Sequence, residues 1–189
     1  MVSASPQPRA LAAPYPTMTT TFLPLDLSSA NDRALIKQVF ARTPSYVFAT
    51  EGRIPDGADV DAMLDSVTAA IPGQSIVTRL IACERIPVAG FMLVARGYPD
   101  PATTYLVAVI LTAEAQGRSL GVVALREAES LAADAGCHRL AALVDSANTR
   151  ALRFWLKQGF IEERRAPAPR FTGQAVRIAK VLPQRPGGG

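Results

Sequence analysis

Apolar positions along this chain switch repeatedly between strand-like runs and the three-to-four spacing of a helix, most sharply in the second half. Tyr105 to Leu111 (YLVAVIL) is an almost unbroken apolar run that gives way to the polar turn Thr112 to Ser119. Leu120, Val123, Ala124, Ala128, Leu131 and Ala135 then recur at helical spacing. This pattern predicts a strand, a loop and a helix that lays one face on a sheet. Gly136 stops the helix, and Arg139 to Val144 reads as a short strand apolar on both faces. Thr149 to Gln158 reads as an amphipathic helix with Leu152, Trp155 and Leu156 on its buried side; Gly159 ends it and Phe160 opens the next strand.

Upstream, Phe22 to Leu27 predicts a first strand, with Pro24 pointing to a sheet edge. Ser28 to Asn31 offers N-caps for a helix whose face is Leu35, Ile36, Val39 and Phe40, running to Ala41 before Thr43-Pro44. A second helix, Ala58 to Ala70, buries Val60, Met63, Leu64 and Val67. Ser75 to Glu84 and Val88 to Arg96 form a hairpin turning near Arg85-Ile86-Pro87, and the turn cluster Gly97 to Pro101 leads to a central strand, Thr104 to Leu111. Glu162 to Arg170 reads as a charged, Pro-rich loop and Gln174 to Leu182 as a last strand. The organisation predicted is a tail over 1–20, one domain over 21–183 and a short tail over 184–189.

Length and balance change this picture little. The 189 residues suffice for one core, and half of them are apolar, which excludes fibre and wholesale disorder. The formal charge of +4 comes mostly from scattered arginines rather than from a basic stripe with aromatics, so nucleic acid is not expected as a partner. Cys83 and Cys137 are far apart and His138 is the single histidine, so no metal site is expected and the usage suits a reducing cytoplasmic setting. On a strand, His138 and Cys137 point to opposite faces and do not make a nucleophile and base. No apolar run approaches the length of a membrane span, so no membrane association is expected, and the Pro-interrupted start does not read as a signal peptide.

The chemistry sits in the loop before the third helix. Gln116-Gly117-Arg118-Ser119-Leu120-Gly121 leads into a helix N-terminus, where unpaired N–H groups and the positive end of the dipole attract phosphate. It is neither G-x-x-x-x-G-K-[ST] nor G-x-G-x-x-G. The order [QR]-x-x-G-x-[GA] after a strand resembles the pyrophosphate loop of the GNAT superfamily of acyl-CoA N-acyltransferases, carried here by Gln116, Leu120 and Gly121, with Ser119 where that family usually has Gly. Downstream, Asn148, Ala151, Phe154, Trp155, Gly159 and Phe160 resemble its second signature, N-x-x-A-x-x-[FL]-Y-x-x-x-G-F, with Trp155 in the Tyr position. Within this run, Leu152, Phe154 and Phe160 read as plain core packing.

The resemblance implies an α/β (α+β) domain in the order β-α-α-β-β-β-α-β-α-β-β: a mixed, mostly antiparallel sheet of about six to seven strands flanked by about four helices. It implies an N-acetyltransferase that moves an acetyl group from acetyl-CoA to a primary amine of a small molecule or peptide by direct attack in a ternary complex, with a homodimer allowed. The alternative is a domain of this fold that binds acyl-CoA without turnover, as a sensor or interaction module. Gln116, Gly117, Arg118, Ser119, Leu120, Gly121 and Val122 would hold the pyrophosphate through backbone N–H groups. Leu111 and Ala113 would pair with the pantetheine as an added strand, and one of their N–H groups would serve the thioester oxygen. Asn148 would contact the pantetheine arm or cap its helix, or both. Trp155 cannot protonate the leaving sulfur as a Tyr would, and would wall the channel instead. Tyr105, where some relatives carry a Glu, is the candidate proton relay, with plain packing as its other reading. Tyr46, Glu51, Tyr98 and Asp100 are candidates for the acceptor, two acids and two aromatics that would suit a cationic amine.

Overall fold

The computed structural model describes residues 19–43, 56–169 and 171–183. They form a seven-stranded sheet flanked by four α-helices. In chain order these are β1 (Thr20–Pro24), α1 (Ala30–Ala41), α2 (Gly57–Ala70), β2 (Ile76–Cys83), β3 (Ile86–Arg96), β4 (Thr103–Leu111), α3 (Leu120–Asp134), β5 (Arg139–Asp145), α4 (Thr149–Lys157), β6 (Ile161–Pro167) and β7 (Gln174–Val181). The strand order is β1-β2-β3-β4-β5-β7-β6, and all neighbours are antiparallel except β4 and β5.

Local chemistry sets the helix starts. Ser29 caps α1 by accepting the Asp32 N–H, and Asp56 caps α2 in a reciprocal box with Asp59. The two helices are tied by Arg33 to Asp61 and Asp65 and by Lys37 to Asp61. Their apolar stripes, Ile36, Val39 and Phe40 on α1 and Val60 and Leu64 on α2, close over Phe91, Leu93 and Ile110. The opposite face is covered by α3, where Leu120, Ala124 and Ala128 pack on Met92, Val94 and Leu106, and by α4 through Trp155. Each strand between the layers therefore alternates its side chains between two cores.

Several expectations need correction. The stretch expected to be a loop from Glu162 is β6, a strand exposed along almost its whole length. Its charges are solvated or paired, Glu162 with Arg165 and Glu163 with Arg139, and its backbone bonds are supplied by β7. A tail reaching residue 20 is expected from composition, yet Thr20 already pairs with Cys83. The first hairpin turns one residue earlier than expected, with Ile86 inside β3. Arg139 to Val144 is not buried on both faces: Leu143 is 43 % exposed. On α4, Leu156 is 44 % exposed; it lies one residue, about 100°, beyond Trp155 and so turns away from the sheet.

Candidate active site

A cleft opens in the middle of the sheet because β4 and β5 pair along only part of their length. Their register runs from Thr103↔Arg139 to Leu106↔Ala142 and stops. At that point β4 bulges: Leu93 pairs with Ala108 and Val94 with Leu106, leaving Val107 without a partner on β3. A bulge bends its strand, while β5 continues alongside β7 from Leu143↔Arg177 to Asp145↔Ala175, so the two strands diverge. The space between them is about 650 Å³ and runs between α3 and α4.

The β4 wall of this cleft presents free backbone. Thr112 gives its N–H to the Ala89 carbonyl across the β3 ladder (2.9 Å), so by the alternation of an antiparallel pair Leu111 and Val109 turn their amides the other way, into the cleft. The Leu111 carbonyl is occupied, accepting from Gln116 Nε2 (3.1 Å) and facing Thr43 Oγ1 at 3.3 Å, which leaves its N–H. Ala113 differs from expectation. It has left the strand for a 3-10 turn, and its N–H is donated to the Arg42 carbonyl at 2.9 Å, so it has nothing to offer an added strand. Arg42 also pairs with Glu114, tying the end of α1 to this turn.

At the α3 end the backbone twists to expose a row of donors. Gly117 has φ +76°, and Ser119 also sits in the left-handed region at φ +63°, a conformation that costs a residue with a Cβ about 1 kcal/mol. Gln116 N–H goes to Thr112 O (3.2 Å), and Val122 and Val123 N–H both go to Ser119 O (3.0 and 3.2 Å). Among the described residues, the five N–H groups from Gly117 to Gly121 between them have no main-chain acceptor, and the Ser119 side chain caps none of them. The outer two of the seven expected pyrophosphate holders, Gln116 and Val122, have thus already spent their N–H groups. Arg118 stays beside the row because its Nε donates to the Glu114 carbonyl (2.8 Å). Five adjacent donors at the head of a 15-residue helix fit a diphosphate. Gly121 keeps the cleft open, since a Cβ there would sit 3.2 Å from the Phe154 ring.

The far wall is β5 and α4. Asn148 caps α4 by accepting the Ala151 N–H (3.1 Å) and lines the cleft. Trp155 also lines it, held edge to face between Phe154 and Phe160 with ring centroids 5.0 and 5.1 Å away. The turn into α4 is organised by a residue outside the expected set. Asp145, 2 % exposed, accepts from Ala147 N–H and Gly173 N–H on Oδ1 and from Thr172 N–H and Oγ1 on Oδ2. An Asp two residues before a bonded N–H is an Asx turn, and that local signal is legible in D-S-A. Phe154, Thr43 and Phe171 also line the cleft and are not among the expected site residues; for Phe154 the sequence pattern points to plain core packing.

Residues 61–160 match the acetyltransferase (GNAT) family. The chain belongs to that family. No curated protein matches it in sequence. Among solved structures, an acetyltransferase from Thermus thermophilus is 26 % identical with a TM-score of 0.70, over 87 % of this chain and 98 % of that one. The ribosomal-protein-S18-alanine N-acetyltransferase from Escherichia coli (14 % identity, TM-score 0.63, 90 % and 98 % covered) shares the fold. So does the aminoglycoside acetyltransferase AAC(6')-Ib in complex with coenzyme A (20 %, 0.64, 86 % and 95 %).

Among the described residues, the remaining candidates of this GNAT domain, Tyr98, Asp100 and Tyr105, do not line the cleft. Tyr105 stands one residue outside it, half-buried against Tyr98 with ring centroids 6.2 Å apart. Burial pushes its hydroxyl above the ordinary 10.0, the nearby Arg177 charge acting the other way, and that direction opposes service as a base. Asp100 is spent on the turn before β4, accepting from Ala102 N–H (3.0 Å) and Thr103 Oγ1 (2.9 Å). It precedes the start of β4, at the opposite end of that strand from Leu111. Tyr46 and Glu51 lie outside the described residues. No helix among the described residues is long and apolar enough to cross a membrane.

Proposed function

We propose that this GNAT domain transfers an acetyl group from acetyl-CoA to a primary amine of a small molecule or peptide, by direct attack while both are bound. The observation that carries the reading is the row of five open N–H groups, Gly117 to Gly121, at one end of a cleft whose β4 wall has lost its partner strand. The row takes the pyrophosphate, with the Arg118 charge beside it. The pantetheine runs as an extra strand along Val109 and Leu111, meeting Asn148 and the Trp155 ring on the other side. That a fold neighbour is in complex with coenzyme A supports the same assignment.

In the transfer, the amine nitrogen forms a bond to the thioester carbon, charge gathers on the carbonyl oxygen and the C–S bond breaks. A backbone N–H of Val109 or Leu111 faces that oxygen as its charge develops. Trp155 has no acidic proton, so the sulfur departs as thiolate, which a thiol pKa near ~8.5 permits, and takes its proton from water. The proton lost by the amine also goes to water, since the one carboxylate on the cleft wall among the described residues, Asp145, is filled by four hydrogen bonds. Cys83 and Cys137 are buried free thiols outside this site, consistent with work in the reducing cytoplasm.

The test is thermal melting with and without acetyl-CoA, wild type beside Gly121→Trp, followed by thiol release over an amine panel. At a hundredfold excess over Kd the wild type gains about 2.7 kcal/mol, roughly 5–11 °C at this chain length, and the variant gains nothing. A wild type that does not shift refutes the acyl-CoA assignment. A shift with no thiol release under any amine refutes turnover and leaves a binding module.

A further inference from the structure

The cleft passes through the sheet. Its diphosphate end lies on the α3 side, but it is also lined by Val107 and Leu143, whose side chains belong to the other face. On that face α1 and α2 cover β3 and β4, while the part made by β5, β7 and β6 carries exposed side chains, Leu143 among them. An acceptor that meets the acyl group from the side not taken by the nucleotide arrives here.

This face has an excess of positive charge at one point. Arg177 on β7 stands directly opposite Leu143 on one side and opposite Arg164 of β6 on the other. Two arginines facing each other across a ladder repel, and a shared anion removes the repulsion. Protein supplies only part of one. Glu163 at the β6 bulge is gripped by Arg139 Nη2, at 2.6 Å to both oxygens. Its Oε2 lies 3.3 Å from Arg177 Nε but off the direction of the N–H, so this nitrogen is sealed from solvent without a hydrogen bond. Two guanidinium groups, Arg139 and Arg177, thus share one carboxylate, with Arg164 in register beside Arg177. Tyr105 completes the corner: it lies on the same face of β4, separated from β7 only by the small Ala141, and is close enough to feel the Arg177 charge.

We propose that this corner is the acceptor site and that Arg177 reads an acidic group on the acceptor, so the amine acetylated here also carries a carboxylate, as an amino acid does. The inference rests on the acyl-transfer reading above. The guanidinium fork takes the carboxylate bidentately, and the Tyr105 hydroxyl donates to it from the side. Leu143 then borders the path from the bound carboxylate to the cleft.

The experiment compares kcat/KM for amino acids, their carboxamides and their decarboxylated amines, in wild type, Arg177→Gln and Arg177→Lys, with the acetyl-CoA melting shift as a check on fold and cofactor site. The proposal expects wild type to favour the carboxylate by at least about tenfold, a ratio that collapses in Arg177→Gln through KM and is partly kept by Arg177→Lys, with all three melts shifted alike. Equal turnover of acids and decarboxylated amines, or an Arg177→Gln ratio like that of wild type, overturns it. If acetyl-CoA shifts no melt, the acyl-transfer reading fails on its own. Equilibrium binding of the same amino acids then decides this site: binding lost in Arg177→Gln upholds it, and no binding to wild type overturns it.

Discussion

Gly90→Ala is the substitution through which the geometry of the cleft wall is tested most directly. Gly90 lies on β3 opposite Leu111, and a Cβ built there would stand 2.3 Å from the Ile110 carbonyl oxygen, 2.8 Å from Leu111 Cδ2 and 3.0 Å from Leu111 Cα. Two of these are backbone atoms of β4, so no rotamer change relieves the clash. Ile110 is 3 % exposed and fixed in the core under α1 and α2, so the strand must shift as a unit. Overpacking of this kind costs about 3 kcal/mol, which at this length lowers Tm by roughly 6–12 °C. Urea unfolding with unchanged m, run beside Gly73→Ala, gives the comparison, because nothing lies within 4 Å of a Cβ at Gly73. The shift also moves the Leu111 N–H, so the acetyl-CoA melting shift falls more than stability alone explains. A Gly90→Ala protein within about 0.5 kcal/mol of wild type, with its ligand response intact, would refute the close packing of β3 on β4.

Asp145→Ala strands the N–H groups of Ala147, Thr172 and Gly173 and costs about 3–5 kcal/mol, measured by denaturant unfolding; a loss below about 1 kcal/mol contradicts the role given to this carboxylate. Ser119→Gly removes a left-handed strain of about 1 kcal/mol and adds a comparable chain-entropy cost, so Tm stays within a few degrees while acetyl-CoA affinity, read by titration, is kept or improved. The Asp61 carboxylate is held below its ordinary 3.8, chiefly by the Lys37 ammonium. Its contribution is therefore complete above pH 3.8 and lost as pH falls through the lower folded value, so the melting curve of Asp61→Asn against pH is flatter there than that of wild type.

Much of the architecture is written in local patterns. Helices α1 to α3 and strands β2 to β5 follow from periodicity because each presents a stripe to one of two cores, and the donor row follows from a polar turn carrying Gly117 between a strand that ends at Leu111 and a helix that starts at Leu120. What escapes has physical reasons. Strand β6 carries no apolar alternation because an edge exposed on both faces is held by backbone pairing and ion pairs rather than burial. The Val107 bulge lies inside an unbroken apolar run, where a one-residue slip leaves no mark on the pattern. The use of the Ala113 N–H by Arg42 is a contact between distant segments. The Arg164, Arg177 and Leu143 corner exists because β7 inserts between β5 and β6, an order that no spacing along the chain encodes.

Both outer strands of the sheet end in proline, Pro24 on β1 and Pro167 on β6, and β6 adds four consecutive charges, Glu162 to Arg165. Proline offers no N–H to an incoming strand, and charges at successive positions would lose water in any edge-to-edge meeting of two copies of β6. Both edges therefore carry residues that oppose lengthening of the sheet. A destabilised variant of this protein meets resistance to growth by strand addition at these positions, most of all along the charged edge of β6.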